Sequence, residues 1–422
     1  MARWRFPLLC ACLALTFAVV SVTRVSGFQS AAERRIAQYA AAKPSDAIAR
    51  LQQRIDAGEV KLQFDQQRGY LSSVLKALKV PESSQMLVYS KTSFQFDKIA
   101  PRTPRAVYFG DDVYVGWVQR GTVIEVATVD PALGAVFYTL DQRDTPAPAF
   151  VRQTHNCLQC HDSMLNTGGV PGFVVQSVYT DRLGYPLPSS HNPVSSDRTP
   201  LRERFGGWYV TGTHGDQVHM GNVWASEAAG EIGNAQVYID RLDLRATGNV
   251  TDLSTRVNTP AYLSPGSDIA ALMLLIHQTS AHNAMAQATI DAGRPNAETS
   301  AETVVRTLLF IGEAALTAPI HGSPQFAADF TRAGPRDRQG RSLRELDLTH
   351  RLLKYPLSYL IYSEGFDGMP ASVKTFVSRR LTEILTGKDE RREFAALTSV
   401  DRQAIIEILR DTKPGFLTVP AR

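Results

Sequence analysis

The stretch Asn156-Cys157-Leu158-Gln159-Cys160-His161-Asp162 limits this chain more than any other. Two cysteines, two intervening residues and an adjoining histidine form the attachment signature of covalently bound haem. The two thiols add across the porphyrin's vinyl groups, and one turn of backbone sets their separation. His161 is then placed to ligate the iron through an imidazole nitrogen. A thioredoxin-like dithiol, half of a zinc site or two plain core cysteines are the competing readings. Zinc would want more thiolates: besides Cys157 and Cys160 the chain has only Cys10 and Cys12, both in the N-terminal apolar run. A dithiol enzyme would want its pair at the end of a strand in a βαβ unit, and no such pattern surrounds this one.

The first 27 residues read as an export signal. Arg3 and Arg5 precede an apolar run from Phe6 to Val20, and small residues follow at Ser21, Ser26 and Gly27. The run is shorter than the ~20 residues a bilayer span needs, so cleavage near Gly27 and a periplasmic product without a stable membrane span are expected. A lipoprotein reading at Cys12 would leave only a stub of apolar segment before the cysteine. Export agrees with haem c, which is attached outside the cytoplasm, and leaves no cysteine pair for a structural disulfide. The formal charge of +4 includes Arg3, Arg5 and Arg24 with no acid before residue 28, so the cleaved chain is close to neutral. That balance points neither to nucleic acid nor to anionic lipid.

The remaining pattern predicts an α+β fold in three parts: 28–142, helices and then a β meander; 143–265, a loop-rich haem-binding region; 266–422, a helical region packed on it. Helices are expected over 31–42, 45–58 and 70–80, where apolar residues recur at spacings of three and four. Short β-branched and aromatic runs at 86–89, 106–109, 113–118, 123–127 and 135–140 alternate with turn residues and predict an antiparallel meander. Tyr108, Tyr114 and Trp117 read as its core. Residues 141–265 are rich in Gly and Pro, and long ordered loops need something to organise them. A porphyrin would serve. Further helices are expected over 267–292, 301–316, 343–354, 372–385 and 399–409.

The residue opposite His161 decides whether such a haem passes electrons or does chemistry on a bound molecule. Met220, His219 and His214 form the best cluster, with Met220 at a separation familiar from small cytochromes that ligate through methionine sulfur. His277 and His282 lie on one helix but five residues apart, roughly 140° around the axis, which is wrong for two ligands of one metal. Either could face haem alone, or be a satisfied helix histidine. Among arginines suited to clamp a haem propionate, Arg204 comes first because it adjoins the glycine-aromatic stretch 205–215; Arg202, Arg336, Arg338 and Arg341 follow.

With these residues in view, the chain resembles a family of exported bacterial proteins with a cytochrome c domain. The resemblance rests on Ser90-Lys91-Thr92-Ser93, Asp111-Asp112-Val113-Tyr114-Val115-Gly116 and His155 to Asp162. It continues through Gly206 to Gly212, His219-Met220-Gly221-Asn222, His277-Gln278 with His282-Asn283, and Gly334-Pro335-Arg336-Asp337. It implies one covalent haem and an electron-transfer role with a redox partner protein. A second class stays open, a peroxidase-like haem oxidoreductase with an open distal side, and a third, a haem-based ligand sensor. The two-haem kind of bacterial peroxidase would need a second attachment motif, and no signalling domain accompanies the third.

Overall fold

Near residue 85 the hydrophobic period changes, and there helices give way to a sheet. The computed structural model describes residues 31–189 and 193–418; the expected export segment lies outside them. Six strands run as an antiparallel meander in sequence order: β1 (Met86–Val88), β2 (Arg105–Phe109), β3 (Val113–Trp117), β4 (Val123–Asp130), β5 (Gly134–Asp141) and β6 (Phe150–Gln153). The β4–β5 hairpin pairs from Val123↔Asp141 to Asp130↔Gly134. Asp130 closes it by accepting the Ala132 and Leu133 N–H groups. The expected part boundary at residue 142 therefore falls inside the sheet, because β6 pairs with β5 from Phe137↔Gln153 to Leu140↔Phe150. By its internal contacts the described chain divides only between Lys43 and Pro44.

Twelve helices are present among the described residues. In chain order they are α1 (Ala31–Ala41), α2 (Ala47–Asp56), α3 (Leu71–Leu78), α4 (Leu158–His161), α5 (Met164–Thr167), α6 (Ala235–Ile239), α7 (Ile269–Asp291), α8 (Ala297–Leu308), α9 (Pro324–Arg332), α10 (Glu364–Asp367), α11 (Ala371–Leu385) and α12 (Ser399–Thr412). The fold is thus α+β with a mainly helical C-terminal part. None of these helices is long and apolar enough to cross a membrane.

Side chains alternate between the two faces of the sheet. One face carries Tyr108, Val115, Trp117 and Tyr138, all buried. There α2 packs on β4 and α3 on β3. Asp46 bolts this layer together: its carboxylate caps α2 through the Ile48 and Ala49 N–H groups and accepts the Tyr138 hydroxyl at 2.8 Å. The opposite face carries Tyr114 and Phe137, whose strands meet β4 at a common residue, Ala127. Against it lie the Cys157 segment and α7. This helix is the hub: 18 of its 23 residues are buried, so it faces protein on every side. Asp268 caps it, α8 packs along it, and α11 packs on α8.

Three helix expectations need correction. The segment 343–354 is irregular, because Asp347 turns its side chain back onto the Thr349 and His350 N–H groups and Leu348 takes a φ of +56°. The helix expected over 301–316 begins at Ala297 and stops at Leu308, ahead of Phe310 (φ +55°) and Gly312 (φ +85°). Helix α9 was not expected, although Ser323 at the cap and Pro324 at the first position announce it.

Asp46→Ala removes the oxygen that accepts both capping N–H groups and the one that accepts the buried Tyr138 hydroxyl. It is expected to cost about 1–3 kcal/mol, read as a lower urea midpoint; an unchanged midpoint contradicts this role for Asp46.

Candidate haem-attachment site

Cys157 opens α4, and His161 ends it one turn later. The bond that matters most is local: His161 Nδ1 lies 2.9 Å from the Gly172 carbonyl oxygen. A carbonyl only accepts, so Nδ1 carries the proton and donates. The lone pair of the neutral ring is therefore on Nε2, which makes no hydrogen bond among the described residues. Burial holds the imidazole below its ordinary pKa, favouring this neutral form. A ring fixed by a carbonyl at one nitrogen, with the other free, is how a metal-ligating histidine is oriented.

Gly172 is itself held by α7. The Asn283 side chain accepts from the Phe173 N–H at 2.7 Å and donates to the Phe173 carbonyl at 2.7 Å. A Cβ on Gly172 would stand 2.5 Å from Asn283 Oδ1, so only glycine lets the loop approach this closely. The His161 ring packs on Phe137 of β5 at 4.6 Å.

Arg105 and Glu125 are the charged groups that act on Cys157 and His161. Arg105 of β2 pairs with Glu125 of β4 at 2.6 Å, and Ser93 and Gln95 also donate to Glu125. The Arg105 Nε is buried with no hydrogen-bond partner. Phe94, Phe96, Val151, Met164 and Leu165 are all more than half exposed. Phe94 and Phe96 flank Gln95, Val151 sits on β6, and Met164 and Leu165 follow the motif directly. Exposed large apolar side chains directly after the motif, at Met164 and Leu165, suit a flat apolar ligand.

The Cys157 thiol argues against the dithiol reading. Burial, with Glu125 nearby, pushes the Cys157 thiol up to about 11. A dithiol enzyme needs the opposite shift, since thiolate is the attacking form. Among the described residues no three His, Cys, Asp or Glu side chains converge as a metal-ion site. Both cysteines are free, with Cys160 exposed.

The expected opposite ligands are placed differently from His161. Met220 is 1% exposed, with its methyl against Gly206 and its N–H donating to the Arg204 carbonyl. A sulfur facing a porphyrin seat would border open space, and this one does not. His214 and His219 pack edge to face at 4.8 Å. His214 Nε2 accepts the Asn249 N–H, and His219 Nδ1 accepts the Gly221 N–H. In each ring the lone pair is therefore spent and the other nitrogen must carry the proton, so neither offers a donor to a metal. His277 is likewise committed on both sides: Nδ1 donates to Asp197 at 2.9 Å, and Nε2 accepts the Ser358 hydroxyl at 2.7 Å.

Asp197, His277 and Ser358 have the order of a nucleophilic triad. However, His277 and Ser358 are 0% exposed and Phe310 stacks on the imidazole at 4.0 Å. No substrate reaches the hydroxyl, and the three groups tie α7 to the loops at 197 and 358. Arg204 belongs to the same region. It is buried, and it spends donors on the Thr199 and Asp197 carbonyls rather than on a propionate. Arg202 pairs with Glu203, Arg338 with Asp411, and Arg341 with Asp337 and Glu407, while Arg336 donates to the Gly340 and Thr331 carbonyls.

Compared with models of known protein families, with curated proteins and with solved structures, the chain finds no match in any of the three.

Burial, helped by His214, lowers the His219 pKa to about 3 from an ordinary 6.5. The unfolded chain therefore takes up a proton near pH 6.5 that the native state refuses, and stability falls as pH drops from about 6.5 towards 3. His219→Gln is expected to flatten urea midpoints measured across that window, by up to one proton's slope. An unchanged slope contradicts a buried neutral His219.

Proposed function

We propose that Cys157 and Cys160 carry one covalent haem c with His161 as its axial ligand, and that the chain is an extracytoplasmic c-type cytochrome acting in electron transfer with a redox partner protein. The observation that carries this reading is the fixed tautomer of His161, whose Nε2 lone pair is left free directly after two free cysteines. The resemblance to exported cytochrome c domain proteins supports it, as do the exposed apolar side chains of Met164 and Leu165 directly after the motif. When bound, haem supplies a one-electron redox centre. The chain's residues do the rest. Asn283 and Gly172 hold His161 in place, Phe137 blocks its rotation, and Arg105 offers an unpartnered N–H beside the motif for a negative group.

One observation favours the second reading, a haem oxidoreductase that acts on a small oxidant such as a hydroperoxide. Among Met220, His219, His214 and His277, none presents a free donor towards His161 in this structure. With His161 as the protein's donor, a bound haem would be able to take a small oxidant as well.

The test is spectroscopic, on protein made in a host with haem-attachment machinery. Expected are a coloured protein that binds carbon monoxide when reduced, loss of covalent colour in Cys157→Ser with Cys160→Ser, and an unaltered spectrum in Met220→Ala. A spin-state change in Met220→Ala would restore methionine ligation and overturn the open-site reading. Colourless wild-type protein would overturn both.

A further inference from the structure

Aromatic packing continues inward from His161 to a second site. Phe137 lies 6.4 Å from Phe173, and Phe173 lies 4.6 Å from Tyr114 of β3. Only two rings stand between Tyr114 and the proposed ligand.

Hydrogen bonds fix where the phenol's proton points. Gln278 donates from Nε2 to the Tyr114 oxygen at 3.1 Å, and its own Oε1 accepts the Tyr359 hydroxyl at 2.6 Å. Nε2 also donates to the Gly110 carbonyl at 2.6 Å, so the amide cannot be reversed. With its oxygen receiving Gln278, the Tyr114 O–H donates to His282 Nδ1 at 2.9 Å. The neutral His282 ring then carries its proton on Nε2, which is buried without a hydrogen bond and stands 3.4 Å from Asp112 Oδ1. Asp112 accepts the Glu364 and Gly365 N–H groups, which hold its carboxylate still. Asp111 beside it pairs with Arg344. A purely structural pair gains nothing from leaving the buried Nε2–H unbonded, which costs free energy. An imidazole about to become a cation gains from a carboxylate behind it.

We propose that Tyr114 is a redox-active residue, giving one electron to a metal-centred one-electron oxidant held at His161 and its phenolic proton to His282. The O–H bond of Tyr114 breaks and an N–H bond forms at His282 Nδ1. The electron leaves through Phe173 and Phe137 and reduces the oxidant by one equivalent. A neutral phenoxyl radical and an imidazolium facing Asp112 remain. This role rests on the haem reading, with a hydroperoxide as the source of the oxidising equivalents.

The first experiment does not need haem. Full-length chain made without attachment machinery is oxidised by photogenerated ruthenium(III) tris-bipyridine, freeze-quenched and read by electron paramagnetic resonance. A long-lived phenoxyl signal is expected. It is lost in Tyr114→Phe, which keeps the ring packing. It is also lost in His282→Gln, which keeps Tyr114 but removes the base; circular dichroism checks that both variants fold. A signal of equal amplitude and lifetime in Tyr114→Phe overturns the assignment, and one in His282→Gln overturns the proton transfer. In haem-loaded protein, hydrogen peroxide is expected to raise the same signal. Its absence there, with the ruthenium signal present, overturns the coupling to His161 while leaving the haem attachment standing.

Discussion

The single hydrogen bond from His161 Nδ1–H to the Gly172 carbonyl is what the proposed chemistry depends on. It decides the tautomer, and the tautomer decides whether the ring is a ligand. The same logic separates the histidines of this chain without any metal present. His214 and His219 each accept a backbone N–H and so have no lone pair to offer, whereas His161 donates and keeps one. Position in sequence does not distinguish these cases; the partner atom does.

That bond is only as firm as the loop that supplies the carbonyl, and the loop is anchored from α7. Asn283 grips Phe173 at both backbone groups. Next to it on the helix, His282 holds Tyr114; one turn earlier Gln278 joins Tyr114 to Tyr359, and His277 joins Asp197 to Ser358. A helix buried on every side normally carries apolar residues alone. This one also carries His277, Gln278, His282 and Asn283, and nearly all of the hydrogen-bonding groups of these four are satisfied, the His282 Nε2 being the exception. Partly satisfied networks are costly, so the exception at His282 is where a function is most reasonably sought.

Much of the architecture could be read from periodicity: the meander, the buried Tyr108, Tyr114 and Trp117, and the long helix bounded by Asp268 and Gly293. Boundaries failed where a side chain competed with the backbone. Asp347 undid an expected helix by capping its own turn, and Phe310 ended α8 by adopting a left-handed conformation. At the site, the cysteines and His161 were visible as a motif because their spacing is local. Asn283, Arg105 and Glu125 were not, since they meet the motif only through the fold. Met220 was indicated by its separation from His161, His219 as its neighbour in that cluster and Arg204 by the adjoining glycine-aromatic stretch, but tertiary packing fills the space around the sulfur and spends the lone pair of His219 and donors of Arg204. His282-Asn283 did stand in the sequence as a pair; nothing local said that one residue would hold a tyrosine and the other a loop.

The central claim is covalent, and intact mass tests it most directly. Chain expressed with haem-attachment machinery should, after denaturation and acid extraction, weigh one haem more than its polypeptide alone. Replacing Cys157 and Cys160 should return it to the bare mass. A wild-type mass with no haem added would contradict the account.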